Sequence, residues 1–194
     1  PWSQSSPGYD AQKGQSYAFN LDKAKSLLAD AKVSSLELDV VGSPGQPLME
    51  SMMQVYQADL AKLGLKLNIK IMDAATWIDQ VNNVKYNGMY FSGDNNAHVN
   101  PGTLWSSSPG WRPRPSNNSG WKNDQWTQMV DSVTSEPDAA KRQALVGQIN
   151  DFTLDQSWVF PVASNPAILM TSSKVKGLVP ALYNGWFFDG ASLA

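Results

Sequence analysis

From its amino end the chain shows no hydrophobic period until residue 20. Residues 1–19 mix Pro, Gly, Ser and Gln with Trp2, Tyr9, Tyr17 and Phe19, which describes an extended lead-in without an element of its own. Asn20 then stands where a helix cap belongs, and Leu21, Ala24, Leu27, Leu28 and Ala31 recur at helical spacing. Leu36, Leu38 and Val40 alternate with Glu37 and Asp39, the period of a strand with one buried face, and the run stops at Gly42-Ser43-Pro44-Gly45. From Pro47 the apolar set Leu48, Met49, Met52, Met53, Tyr56, Leu60 and Leu63 follows a second helix, with Met52 and Met53 as core filler. Gly64 follows, a residue suited to the left-handed turn that ends a helix. Leu65, Leu67, Ile69 and Ile71 alternate with Lys66, Asn68 and Lys70, the strongest strand signal in the sequence. A short helix around Trp77, Ile78 and Val81 leads to a brief strand at Met89, Tyr90 and Phe91.

Strands joined by helices must return in the same direction. The order therefore predicts an α/β fold, a mostly parallel sheet with right-handed crossovers, flanked by helices. Ligands of such sheets bind beyond the carboxyl ends of the strands. The loops predicted there are 42–46, 73–76 and 93–100. Between Asn95 and Asn123, Pro101, Pro109, Pro113 and Pro115 with Gly102, Gly110 and Gly120 argue against any regular element, leaving a long irregular loop rich in tryptophan. Loops beyond about 12–15 residues are functional or disordered, and Trp105, Trp111, Trp121 and Trp126 in or beside this one argue against disorder. After it, Trp126, Met129, Val130 and Val133 line one helix face, and Pro137 starts another helix with Ala144, Leu145, Ile149 and Phe152 inward. Closing strands are expected at 158–163 and 167–171. No repeat or linker divides residues 20–194, which read as a single α/β ligand-binding lobe.

Composition narrows the chemistry. With 42 % apolar and 10 % aromatic residues in 194, the chain can bury a core and is globular. Fifteen basic against 17 acidic side chains leave a net charge of −2, no excess with which to bind nucleic acid or an anionic membrane surface. The absence of Cys and the single His98 remove thiol nucleophiles, disulfides and thiolate zinc sites, so no metal is assigned. Neither a phosphate-binding Gly-x-x-x-x-Gly-Lys loop, nor Gly-x-Gly-x-x-Gly, nor a Gly-x-Ser-x-Gly elbow is present, and no cofactor is expected. No apolar run approaches the roughly 18 residues of a spanning helix. The opening Pro1-Trp2-Ser3-Gln4 is not a signal peptide, which reads as either a cytosolic chain or one whose start has been removed. Charged residues are only 16 %, against 22 Ser and eight Trp, so a polar, aromatic-rich surface needs explaining.

The remaining candidates each carry two readings. His98 is a lone base or a hydrogen-bonded loop histidine. Asp73 and Asp94 are a glycosidase-like carboxylate pair or, as is commoner at loop starts, caps and turns. Asn117-Asn118-Ser119 fits a glycosylation acceptor, a pattern frequent by chance. Trp77 and Trp126, on apolar helix faces, read as core. Trp105, Trp111 and Trp121 either pin the loop or wall a pocket suited to a peptide or a sugar oligomer.

At Tyr17 to Ala31 the sequence Tyr-Ala-Phe-Asn-Leu-Asp-Lys-Ala-Lys-Ser-Leu-Leu-Ala-Asp-Ala resembles a signature of the solute-binding proteins that serve peptide-type ABC importers. Further resemblances keep its order: Asp59-Leu60-Ala61-Lys62-Leu63-Gly64-Leu65, Trp77, the stretch Gly93-Asp94-Asn95-Asn96 reaching Asn100-Pro101, then Asp138 to Leu145 and Trp158-Val159-Phe160-Pro161-Val162. The resemblance implies the carboxyl-terminal lobe of a longer, extracytoplasmic protein, its amino-terminal lobe and signal or lipoprotein segment missing. It also implies a non-enzymatic role: trapping a ligand between two hinged lobes and handing it to a membrane permease driven by ATPase subunits. By the same resemblance Asp94 pairs with the amino terminus of a bound peptide; Ser43, Asn95 and Asn96, from the loops beyond the strands, and Trp105 and Trp111 complete the candidate ligand-binding set. Here the loop runs Asn96-Ala97-His98-Val99-Asn100-Pro101 where the family usually has Asp-Pro or Glu-Pro. Related branches bind nickel chelates or oligosaccharides; the loop tryptophans would suit sugar faces, with Asp94 then accepting a hydroxyl.

Overall fold

β1 (Glu37–Gly42) is the central strand of a three-stranded sheet of order β2-β1-β3, with β2 (Lys66–Ile71) and β3 (Gly88–Tyr90) both parallel to it. In this computed structural model the described residues are 2, 4, 6–93, 101–113, 117–163, 170–180 and 186–193. They fall into two units, one of Ala11–Gly93 and Pro109–Lys122, the other of Pro1–Asp10, Asp94–Ser108 and Asn123–Ala194.

The first unit holds the sheet, and its alternation of strands and helices follows the expected order. α2 (Pro47–Ala61) and α3 (Ala74–Asn82) connect β1 to β2 and β2 to β3. Pro47 occupies the first turn of α2, where its missing N–H costs nothing, and Gly64 ends the passage with φ of 77°. Val40, Met53 and Leu67 form one buried core cluster of the unit, with Leu38, Tyr56, Leu60, Ile69, Met89 and Phe91 packed around them. Met52 is only partly buried, so of the two expected core methionines Met53 alone fills that role. Gly42 packs closely against this core: a Cβ there would stand 2.8 Å from Cε of Met53 and 3.2 Å from Cδ1 of Ile71, and those side-chain ends would have to shift.

The other face of β1 and β2 is charged. Lys66 Nζ lies 2.8 Å from Glu37 and Lys70 Nζ 2.7 Å from Asp39, while Asn68 Nδ2 donates to both carboxylates. These bonds lower the pKa of Glu37, chiefly through Lys66, and of Asp39, chiefly through Lys70. α1 (Leu21–Asp30) forms as expected, with the side-chain oxygen of Asn20 accepting from Lys23 N at 2.8 Å, yet none of its residues is buried. Residues 1–19 are read as a lead-in without an element; a 3-10 turn stands at Lys13–Gln15 among the described ones.

In the second unit the long loop is not uniformly irregular. α4 (Pro101–Ser107) starts on a proline expected to break structure, because proline is tolerated in a first helical turn. Pro101, Leu104, Trp105 and Ser108 are buried at the i, i+3, i+4, i+7 spacing of one helix face. α5 (Asp124–Ser135) buries Trp126, Val130 and Val133 as expected, capped by Asn123. α6 (Ala139–Gln156) begins after the cap Asp138 rather than at Pro137 and buries Val146, Ile149, Asn150 and Thr153. Of the face expected for α6, only Ile149 is buried; Ala144 is exposed.

Tryptophans knit this unit together. The ring of Trp105 meets Trp2 edge-on at 4.9 Å and Trp126 at 6.3 Å, and Trp126 meets Trp158 at 4.8 Å and stacks on Phe152 at 6.2 Å. Residues 158–163 carry no strand, nor do residues 170 and 171. The apolar run at 158–163 has no ladder partner among the described residues, and a strand needs one. Two-residue antiparallel pairs stand farther on: β4 (Val175–Lys176) with β7 (Ser192–Leu193), and β5 (Val179–Pro180) with β6 (Trp186–Phe187). No helix among the described residues is long and apolar enough to cross a membrane.

Candidate ligand-binding edge of the sheet

Because the three strands run in parallel, their carboxyl ends at Gly42, Ile71 and Tyr90 share one edge, and the loops that follow gather there. Two hydrogen bonds extend the ladder into those loops: Met72 N to Gly42 O at 3.1 Å and Phe91 N to Val41 O at 3.3 Å. Ser43 follows Gly42, half-buried. At the end of β3, Gly93 lies beside Met49 of α2, whose Cε would be 3.8 Å from a Cβ on that glycine.

Asp73 is committed to structure. Its Oδ1 accepts from Ala75 N at 3.1 Å and Thr76 N at 3.0 Å, and its Oδ2 from Thr76 Oγ1 at 2.6 Å, which caps α3. The Thr76 hydroxyl, followed by its backbone N–H, lowers the carboxyl pKa. A carboxylate held ionised by three donors is a poor general acid, and this favours the cap reading over the glycosidase pair.

Asp94, Asn95, Asn96 and His98 lie outside the described residues. The tryptophans do not share one environment. Trp105 is 0 % exposed in the helical unit, and Trp111 is 5 % exposed in the sheet unit. Both stand as packing groups, which is the pinning reading; a ligand could meet them only through residues in front of them.

The segment 109–122 is held to the sheet unit by contacts that hydrophobic periodicity cannot show. Tyr86 Oη donates to Asn118 O at 2.7 Å, and Asn118 N donates to Pro109 O at 2.7 Å. Asn117, 2 % exposed, donates from Nδ2 to Trp121 O at 2.8 Å and accepts from Ser119 Oγ at 2.9 Å. Its amide is therefore engaged in a turn, and the acceptor pattern at 117–119 is an Asx-type turn by structure. The only signal for it is the Asn-Asn-Ser-Gly run itself.

Among the described residues no three His, Asp or Glu side chains gather as a metal site. A groove of about 210 Å³ between α5 and α6, lined by Gln125, Gln128, Met129 and Gln148 among others, is smaller than the roughly 300–1,000 Å³ of small-molecule sites.

No curated relative matches the sequence. Among solved structures, the dipeptide-binding protein of Pseudoalteromonas sp. SM9913 in complex with Met-Leu matches 99 % of this chain and 39 % of its own, with a TM-score of 0.75 and 17 % identity. HbpA2 from Haemophilus parasuis matches 96 % and 38 %, with a TM-score of 0.71 and 23 % identity. A periplasmic oligopeptide-binding protein from Thermotoga maritima with bound mannohexaose matches 78 % and 32 %, at 0.63 and 16 %. The fold is thus that of these proteins, and the chain spans well under half of their length. The sequence model of the bacterial extracellular solute-binding proteins, family 5 Middle, matches residues 1–113, more than half of the chain. By that match the chain belongs to the bacterial extracellular solute-binding proteins of family 5.

Proposed function

We propose that the chain is the carboxyl-terminal lobe, residues 20–194, of an extracytoplasmic solute-binding protein that captures a peptide and delivers it to an ABC permease. The observation that carries this reading is the parallel β2-β1-β3 order, which sets the loops after Gly42, Ile71 and Tyr90 on one edge. Family membership supplies the class, and two of the similar structures are, by their descriptions, a dipeptide- and an oligopeptide-binding protein. Ser43 sits on that edge, and the chain passes from β3 through Gly93 to Asp94, the group proposed to receive the peptide ammonium. Asn95 and Asn96 would add amide donors and acceptors to the peptide backbone. Trp105 and Trp111, both buried, are assigned to packing within their own units. The protein holds and releases its ligand without covalent chemistry, and Asp73, engaged in its cap, is assigned no catalytic part.

Peptide is preferred to oligosaccharide because stacking on sugar needs exposed aromatic faces, and Trp105 and Trp111 offer 0 % and 5 % exposure. Calorimetry on the full-length protein tests the assignment. A charge-assisted bond contributes about 1.5–3 kcal/mol, so Asp94→Asn should weaken peptide binding by about tenfold to a hundredfold. Unchanged peptide affinity would remove Asp94 from the role, and a response to sugars but not to peptides would reverse the choice of ligand.

A further inference from the structure

Asn87 and Gly88 open β3, and their surroundings suit a covalent change independent of any ligand. In a parallel ladder one residue bonds to the two that flank its partner. Asp39 pairs with Gly88, and Asp39 N donates to Asn87 O at 2.7 Å. The N–H of Gly88 therefore points away from β1. Among the described residues β3 has no strand on that side, because it is the edge of the sheet. Asn87 itself is exposed, and its side-chain amide bonds to no described residue. The glycine is imposed by the fold: its φ is 130°, and a Cβ would run into the carbonyl oxygen of Asp39. The least hindered neighbour for attack on an asparagine side chain is thus fixed beside an exposed asparagine.

We propose that Asn87–Gly88 is a site of spontaneous deamidation and backbone isomerisation. The Gly88 nitrogen, on losing its proton to solvent base, attacks Cγ of Asn87. The new N–C bond forms a five-membered succinimide as the amide group leaves as ammonia, taking up a proton from water. Hydrolysis of either succinimide carbonyl then adds water and leaves an ordinary aspartate at this position or, through the other carbonyl, isoaspartate. No redox partner is needed. In the isoaspartyl product the chain runs through Cβ and Cγ, so the carbonyl that accepts from Asp39 N is displaced and a carboxylate appears at the start of β3. The site does not depend on which ligand the sheet edge takes.

The test is peptide mapping of the full-length protein aged in mildly alkaline buffer, with methyl transfer by an isoaspartyl methyltransferase as a second readout. A second Asn-Gly pair at 184–185 acts as an internal comparator and makes mapping by fragment spectra necessary. The peptide that follows Lys85 should gain the mass difference between water and ammonia at residue 87, faster at higher pH. Since a group already at an open edge needs no global unfolding, the rate should lie within about tenfold of that in urea. Both Asn87→Gln, which would need a six-membered ring, and Asn87→Ser should abolish the signal at 87 and leave the comparator unchanged. Conversion confined to residue 184, or a folded rate more than about tenfold below that in urea, would show that the fold protects the pair and overturn the proposal.

Discussion

Asn150 shows how one polar side chain can organise a hydrophobic face. It lies 7 % exposed on the inner face of α6, accepts from Trp2 Nε1 at 2.6 Å and donates to Gly8 O at 3.0 Å. Gln143, about two turns earlier on the same helix, donates to Pro7 O at 3.0 Å. The amino-terminal segment is thus fastened to a helix well over a hundred residues away by amide groups that an apolar-period reading passes over. Asn150→Ala would leave a part-buried indole N–H and a buried carbonyl without this partner, a loss of about 1–3 kcal/mol in urea unfolding. Trp2→Ala in the same background should then cost less than in the unmodified chain, since the bond is already gone while the ring contact with Trp105 remains to be lost. Asn123, whose Oδ1 accepts from Trp126 N at 2.9 Å, is a simpler case. Asn123→Ala should destabilise by about 1 kcal/mol, and Asn123→Asp should restore most of it.

At the scale of elements, what is legible in the sequence is what local chemistry determines. α1, α2, α3 and α5 each combine a cap or first-turn proline with an apolar period, β1 and β2 alternate, and β3 is a brief apolar run after α3, so order and direction follow from the sequence. α4 is hidden because its proline, a breaker in a helix interior, stands in a first turn, and β4 to β7, two residues each, are too short to carry a period. The edge of the sheet is legible as a place, but Asp73 shows that a carboxylate at that place can be spent on a cap. The charged face of β1 and β2 yields a pH prediction. Glu37 and Asp39 have folded pKa values below their ordinary ones, so the unfolded chain binds more protons in acid. Their contribution is present at neutral pH and is lost as pH falls through the ordinary carboxylate range. Unfolding midpoints should therefore drop in that window, less steeply in high salt and less steeply in Glu37→Gln/Asp39→Asn. A midpoint equally acid-sensitive in that double variant would assign the effect to other carboxylates. The apolar face below is the stronger determinant: Met53→Ala, at a fully buried site, should cost about 2–5 kcal/mol.

The chain as a whole spans 38 % and 39 % of two proteins whose fold it shares, and that share decides what it can do alone. Each unit has its own interior, built on Val40, Met53 and Leu67 in one and on the tryptophans around Trp105 and Trp126 in the other. The isolated chain is therefore expected to fold, with cooperative urea unfolding followed by tryptophan fluorescence. Ligand capture asks for more, because good sites bury about 70–90 % of a small ligand's surface. One edge of a three-stranded sheet, with Ser43 and the start of the loop after β3 on it, covers a ligand from one side only. A peptide laid there keeps most of its surface in water, and Asp94 would meet its ammonium in high dielectric, where a single ion pair contributes little. Titrating the same peptide panel into the isolated chain and into the full-length protein separates folding from capture. Tight binding is expected for the full-length protein and only weak, salt-sensitive binding for the isolated chain. Micromolar binding by the isolated chain would place the whole site within these 194 residues and contradict a clamp shared with a second lobe.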